Sequence, residues 1–261
     1  MNPHWRNMGR YAPGKEVSGM GFFTRPALET SGEHAGKMVK RYRGLTTREK
    51  AEKIIEFHDE HVSRLRGVGI RVPETRMIAE REGKGFRLKI VQEAFPAESV
   101  LSTVMLKAGK EKCVELLKAA MAEANKVISY NSSLPEGEAL GFHPTLRNLV
   151  FHEGKLHYID TFPPLLKKKG IRTEDEIILG HSLERVPEVV KKITRPFMKY
   201  ITVEYYEPKH MLGGIVHSAI RRRPELKEAM LRAGTEFAEK ELAPRERRPV
   251  LKMLERIRRK T

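Results

Sequence analysis

The chain has 261 residues, of which 39% are hydrophobic and 32% charged; it is long enough for one large domain or two modest ones, and too apolar to stay disordered. Its formal charge is +16, from 50 Lys and Arg against 34 Asp and Glu. That excess points to a polyanion such as RNA, with an anionic membrane surface or an inert basic surface as alternatives. The single cysteine, Cys113, excludes a disulfide framework and a Cys-based zinc site, and in an apparent helix no disulfide-linked partner is expected of it.

No apolar run has the length of a signal peptide or a membrane span, so a cytoplasmic protein without membrane attachment is expected. One glutamine, Gln92, and five asparagines stand beside abundant Lys, Glu and Arg, a composition that hints at a hot environment.

In chain order, "VSGMGFF" and "GKMVKRY" read as strands with Gly turns. "TTRE" offers Thr46 as a helix N-cap with Glu49 three residues on. Ala51, Ile54, Ile55, His58, Val62 and Leu65 then recur at helical spacing until Gly67. Within that helix "HDEH" at 58–61 suggests a metal pair, but His58 lies on the apolar stripe and no third ligand is evident, so a core histidine is expected. Residues 71–95 read as two strands around a Gly turn, and "PAES" as a linker. From Glu98 the chain reads as mostly helical, with helices over 110–131 and near 173–192, 209–221, 224–241 and 245–259.

The helical part is interrupted by "GFHPTLRNLVFHEGKLHYID" at 141–160. "NLVF" and "LHYI" are β-formers, and Glu153-Gly154 suits a tight turn. Folding the hairpin brings Asn148 and Asp160 together at its open end. An amide oxygen and a carboxylate are ligands that Mg²⁺ accepts, with phosphate oxygens and water completing the shell. An ordinary hairpin with a polar residue at each end fits the same letters.

This stretch resembles the catalytic loop and metal-binding segment of the protein-kinase-like superfamily, which includes aminoglycoside phosphotransferases and small-molecule kinases. Asn148 matches the Asn of its H-R-D-x-x-x-x-N loop, and Asp160 the metal-binding Asp that follows the hairpin. The resemblance covers most of residues 14–162. It implies an α+β, two-lobed fold: an ATP-binding lobe over 1–92 with a small antiparallel sheet and one helix, a hinge at 93–97, and a helical lobe over 98–261. It further implies ATP and Mg²⁺ as cofactors, Lys40 on the ATP phosphates, and Glu56 as its carboxylate partner, with Glu52 and Glu60 competing. Gly19 and Gly21 would form a reduced phosphate loop, and Glu93 and Phe95 would meet the adenine.

The match departs from the family at one position. His143 stands where the catalytic Asp belongs, and "DTFPP" replaces Asp-Phe-Gly with no activation segment after it. A kinase in which His143 receives or orients the acceptor hydroxyl is one reading, and a nucleotide-binding pseudokinase acting as an RNA-binding module is the other. Arg147 beside the site would hold a phosphate.

Basic clusters complete the picture: Lys167, Lys168 and Lys169 after the metal segment, Arg221 and Arg222 at a helix end, and Arg247, Arg248, Arg258 and Arg259 in a final helix with eight Lys or Arg against two Glu over residues 245–261. The lysines read equally as a solvated loop and the arginine pair as charges complementing a helix C-terminus, while the final helix should dock an apolar face and present a basic one to RNA. Together these features resemble the archaeal RNA kinases, which phosphorylate a ribose 2′-hydroxyl in the tRNA variable loop. A kinase of small molecules would share the ATP site without needing the basic helix.

Overall fold

A computed structural model describes residues 24–42, 44–175, 177 and 205–260. The "VSGMGFF" strand, Gly19 and Gly21 lie outside the described residues, as does most of the helix expected near 173–192.

Four antiparallel strands form the larger sheet: β1 (Thr24–Leu28), β2 (Lys37–Tyr42), β3 (Thr75–Glu82) and β4 (Gly85–Glu93), in the order β1-β2-β4-β3. β2 and β4 pair with Met38 opposite Gln92 and Lys40 opposite Ile90. Side chains alternate along a strand, so this register sets Met38, Lys40, Ile90 and Gln92 on one face.

Helix α1 (Arg48–Gly67) connects β2 to β3. Its N-cap is Thr47, whose side chain accepts from Lys50 N at 3.3 Å. The expected cap, Thr46, is one residue too early. Its backbone exchanges two hydrogen bonds with Phe86, at 2.8 and 2.9 Å, and that bridge keeps it out of the cap position. The apolar stripe of α1 serves two cores. Ala51 and Ile54 pack with Tyr42, Met77, Leu88, Ile90 and Phe162 under the sheet. Val62 and Leu65 enter the larger helical core. At roughly 1.5–3 kcal/mol per buried aliphatic side chain, this shared helix ties the sheet firmly to the rest.

The remainder contains α2 (Leu101–Lys107), α3 (Lys110–Ser132), the short strand β5 (Ala139–Leu140), the hairpin β6 (Leu149–His152) and β7 (Lys155–Tyr158), the strands β8 (Leu166–Lys168) and β9 (Ile171–Arg172), and helices α4 (Pro208–Arg222), α5 (Lys227–Glu241) and α6 (Pro244–Lys260). Lys167 and Lys168 are therefore strand residues and not loop, because Lys169 and Gly170, at φ 47° and 81°, turn β8 back into β9. α6 buries Val250, Leu254 and Ile257 against α4 and α5. Gly213 and Gly234 permit the close approach, since a Cβ on Gly213 would lie 2.7 Å from Met253 and one on Gly234 3.1 Å from Val216.

The architecture is thus α+β, with small antiparallel sheets and several helices. No helix among the described residues is long and apolar enough to cross a membrane.

Candidate active site

The hairpin gathers the polar residues that its sequence separates. Glu153 and Gly154, at φ 49° and 73°, make the tight turn, and Leu149 pairs with Tyr158. Ile159 N donates to the Asn148 carbonyl at 3.0 Å, closing the open end. The Asn148 amide then donates to Asp160 Oδ2 at 2.8 Å and to the His143 carbonyl at 2.9 Å. Both amide hydrogens are spent there, so Oδ1 is the atom of Asn148 left for a cation.

His143 belongs to the same unit. Its Nδ1 lies 3.3 Å from Asn148 Nδ2 and 3.7 Å from Asp160 Oδ2, and its ring stacks at a tilt on Tyr205, centroids 4.5 Å apart. The loop that carries it is pinned at several points. Gly141 N donates to Leu165 O at 2.8 Å, Phe142 N to Tyr205 O at 2.9 Å, and Ser102 N to Leu146 O at 3.0 Å. A Cβ on Gly141 would stand 2.6 Å from Leu165 Cβ, so only glycine fits there without rearrangement. Phe142 is buried against Tyr158, ring centroids 4.6 Å apart.

Lys40 reaches this unit from the sheet. Its ammonium donates to Gln92 Oε1 at 2.9 Å and to the carbonyl of Ile159, the residue before Asp160. Burial of the ammonium, only partly offset by the nearby Asp160 carboxylate, pulls its pKa down from the usual lysine range to about 8.

The expected Lys40–Glu56 ion pair is not formed. Glu56 is exposed, Glu52 bonds Arg48, and Glu60 bonds Arg64 and Lys168. The α1 stripe instead turns His58 inward, where its Nε2 lies 3.1 Å from the hydroxyl of Thr161. Burial lowers the pKa of His58, and it holds that of His61 down at about 4; neither ring is exposed. Both are core histidines. Among the described residues no group of three His, Cys, Asp or Glu side chains could hold a metal ion.

A cleft of about 150 Å³ opens between the sheet and the hairpin. Pro26, Met38, Val100 and Val150 line it with Glu93 and Phe95, and Lys40, Asn148 and Asp160 provide its polar side. Phe95 is steadied by His152 and His157, at centroid distances of 5.4 and 5.0 Å. Whole small-ligand pockets enclose roughly 300 Å³ or more, so this cleft would hold only part of a larger ligand.

Arg147 is exposed and lines both this cleft and a second cavity of about 390 Å³, where Arg221 and Arg222 also lie. Sequence reasoning missed that convergence, since nothing in the spacing joins residue 147 to 222. It also missed Gln92, although once β2 pairs with β4 the face alternation puts Gln92 diagonally across from Lys40.

The other basic candidates lie elsewhere. Lys168 is committed to Glu60, Lys167 sits on β8 and Lys169 in the turn. Arg247 is half-buried and donates to the Leu242 carbonyl at 3.0 Å, while Arg248, Arg258 and Arg259 are exposed on α6.

The chain belongs to a family of unknown function, DUF6206, whose model matches residues 6–260. No curated protein matches the sequence significantly.

Proposed function

We propose that the protein is an ATP-dependent phosphotransferase of the protein-kinase-like type, with a ribose 2′-hydroxyl of tRNA or another structured RNA as acceptor. The observation that carries the reading is the convergence of Lys40, Asn148 and Asp160 on one cleft from distant parts of the chain, with the His143 carbonyl accepting from the Asn148 amide and the His143 ring 3.7 Å from Asp160 Oδ2. A cleft with an apolar side for a planar ring and a cation–carboxylate side for phosphates suits a nucleoside triphosphate. An antiparallel sheet with one helix, joined at residues 93–97 to a helical lobe, is the arrangement that the resemblance implies.

The donor set fits a hard cation, because Asp160 Oδ atoms and Asn148 Oδ1 are oxygens and Asp160 is 38% exposed. Bound Mg²⁺ would neutralise charge on the transferring phosphoryl group. Lys40 would hold the phosphates, and Asn148 would fix Asp160 and His143 in mutual register. In transfer the bond from the γ-phosphorus to the bridging oxygen breaks, a bond to the acceptor oxygen forms, the hydroxyl proton passes to His143, and ADP departs. A loose transition state asks chiefly for positioning and charge, so an imidazole in place of the family's aspartate is a sufficient acceptor of that proton.

The basic face of α6 and the overall charge of +16 favour RNA over a small neutral alcohol. Incubation with γ-labelled ATP, Mg²⁺ and either tRNA or small polyols tests the reading. Label should enter RNA. Label in polyols alone would make the protein a small-molecule kinase, and ATP binding without label in any acceptor would make it a pseudokinase.

A further inference from the structure

The second cavity lies beside the catalytic unit, and His143 and Arg147 form part of its wall. Its other wall is α4. His210, Gly214, His217, Ser218 and Arg221 follow one another at helical spacing along a single face, and Arg222 closes the end. No acidic residue is among the described residues that line it. The guanidiniums of Arg147, Arg221 and Arg222 are close enough that the pKa of Arg222 is lowered, first by burial and then by the other two. Three like charges brought together beside a half-buried wall favour a dianion between them. At Gly214 a Cβ would meet nothing within 4 Å.

The geometry points to this cavity as the acceptor site, with a subsite at Arg147, Arg221 and Arg222 for a phosphate group that the acceptor already carries next to its reacting hydroxyl. The inference rests on the kinase reading of the neighbouring cleft and adds to it where the acceptor sits and which residues hold its phosphate: one nucleotide unit, a phosphate ester with a hydroxyl close by, lies in this cavity. The phosphate sits on the arginines and the hydroxyl falls at His143, which faces Asp160. A cavity of about 390 Å³ is within the range that admits a single such unit. From an RNA chain, the unit would have to swing out of any base stack to enter. The same chemistry is offered by a free mononucleotide.

Isothermal titration with uridine 3′-monophosphate and with uridine, each with and without saturating AMP-PNP and Mg²⁺, tests this. The wild type should bind the monophosphate at least tenfold more tightly than uridine. Arg221→Gln/Arg222→Gln should lose that preference, and Arg222→Lys should keep part of it. Gly214→Leu fills the cavity without changing charge, and a helix interior tolerates leucine better than glycine, so it should fold and lose binding. Indifference of the monophosphate to both the arginine pair and Gly214→Leu, with AMP-PNP bound, overturns the subsite and leaves the kinase reading standing. Failure of the wild type to bind AMP-PNP removes the kinase reading and the acceptor role with it. Replacing the monophosphate by a pentauridylate separates the sources. Tighter binding assigns the phosphate to an RNA chain and equal binding to a free nucleotide, and both uphold the subsite.

Discussion

Asn148 Nδ2 donates to Asp160 Oδ2 at 2.8 Å across the open end of a β-hairpin. The contact makes the two residues one unit. The amide orients the carboxylate, the same amide holds the His143 carbonyl, and the backbone bond from Ile159 N to Asn148 O fixes the spacing of all three.

Asp160→Ala should abolish Mg²⁺-dependent phosphoryl transfer while leaving the fold. The carboxylate is only half-buried, and its loss removes one hydrogen bond worth about 1 kcal/mol. A fall in Tm of no more than a few degrees is expected for a chain of this size. Thermal unfolding and a transfer assay on the same sample check both halves. A variant retaining half the wild-type rate would detach this hairpin from the chemistry.

Lys40 gives a pH signature. Its folded pKa, about 8, lies below the unfolded value near 10.4, so between the two the unfolded chain binds more protons and this group's contribution to stability rises with pH. A triphosphate beside the ammonium should raise that pKa again. Binding of AMP-PNP near pH 8 should therefore take up about half a proton at this site, and almost none at pH 6, where Lys40 is already charged. Titration in buffers of different ionisation enthalpy measures the uptake. Lys40→Arg, charged throughout, should lack this component.

Gln92 should set that titration. It is 2% exposed, and its Nε2 has no hydrogen-bond partner among the described residues while its Oε1 accepts from Lys40. Gln92→Glu would place a carboxylate against the ammonium, so Lys40 should stay charged at pH 8 and the proton uptake there should vanish. Uptake unchanged from wild type would show that Gln92 does not govern the lysine.

Much of this was legible in the sequence, and the failures have physical causes. The hairpin was readable because β-formers flank a Glu-Gly turn whose residues adopt positive φ. The local cap signal at Thr46 is one residue off because a long-range bridge from Thr46 to Phe86 outweighs it and leaves Thr47 as the cap. "KKKG" carried no strand pattern, yet Gly170 turns it into a hairpin paired to β5. Glu56 answers to the family resemblance and not to the helix pattern: the stripe of α1 that faces inward carries His58, and a helical face admits no neighbour two residues away. The second cavity was unreadable because it needs α4 to cross beside a loop more than sixty residues earlier.

The exposed face of α6 should serve RNA and not the nucleotide. Reversing the charges of Arg248, Lys252, Arg256 and Arg259, all exposed, should weaken RNA binding and leave AMP-PNP binding within twofold. Each lost phosphate contact should flatten the log–log salt dependence by about 0.7 to 0.9. Arg247 is spared because its guanidinium is committed to the Leu242 carbonyl. Unaltered RNA affinity would place the RNA surface elsewhere.

The most direct measurement is single-turnover transfer from γ-labelled ATP to RNA by the wild type and by His143→Ala. His143 touches Asn148 and approaches Asp160, but its imidazole is not needed to hold ATP or the basic surface. The wild type should transfer label, and His143→Ala should do so about ten- to ten-thousand-fold more slowly, the span expected for loss of a proton acceptor. ATP and RNA affinities should stay close to wild type. Equal rates in the two proteins, or a wild type that binds ATP and RNA yet transfers nothing, would contradict the account.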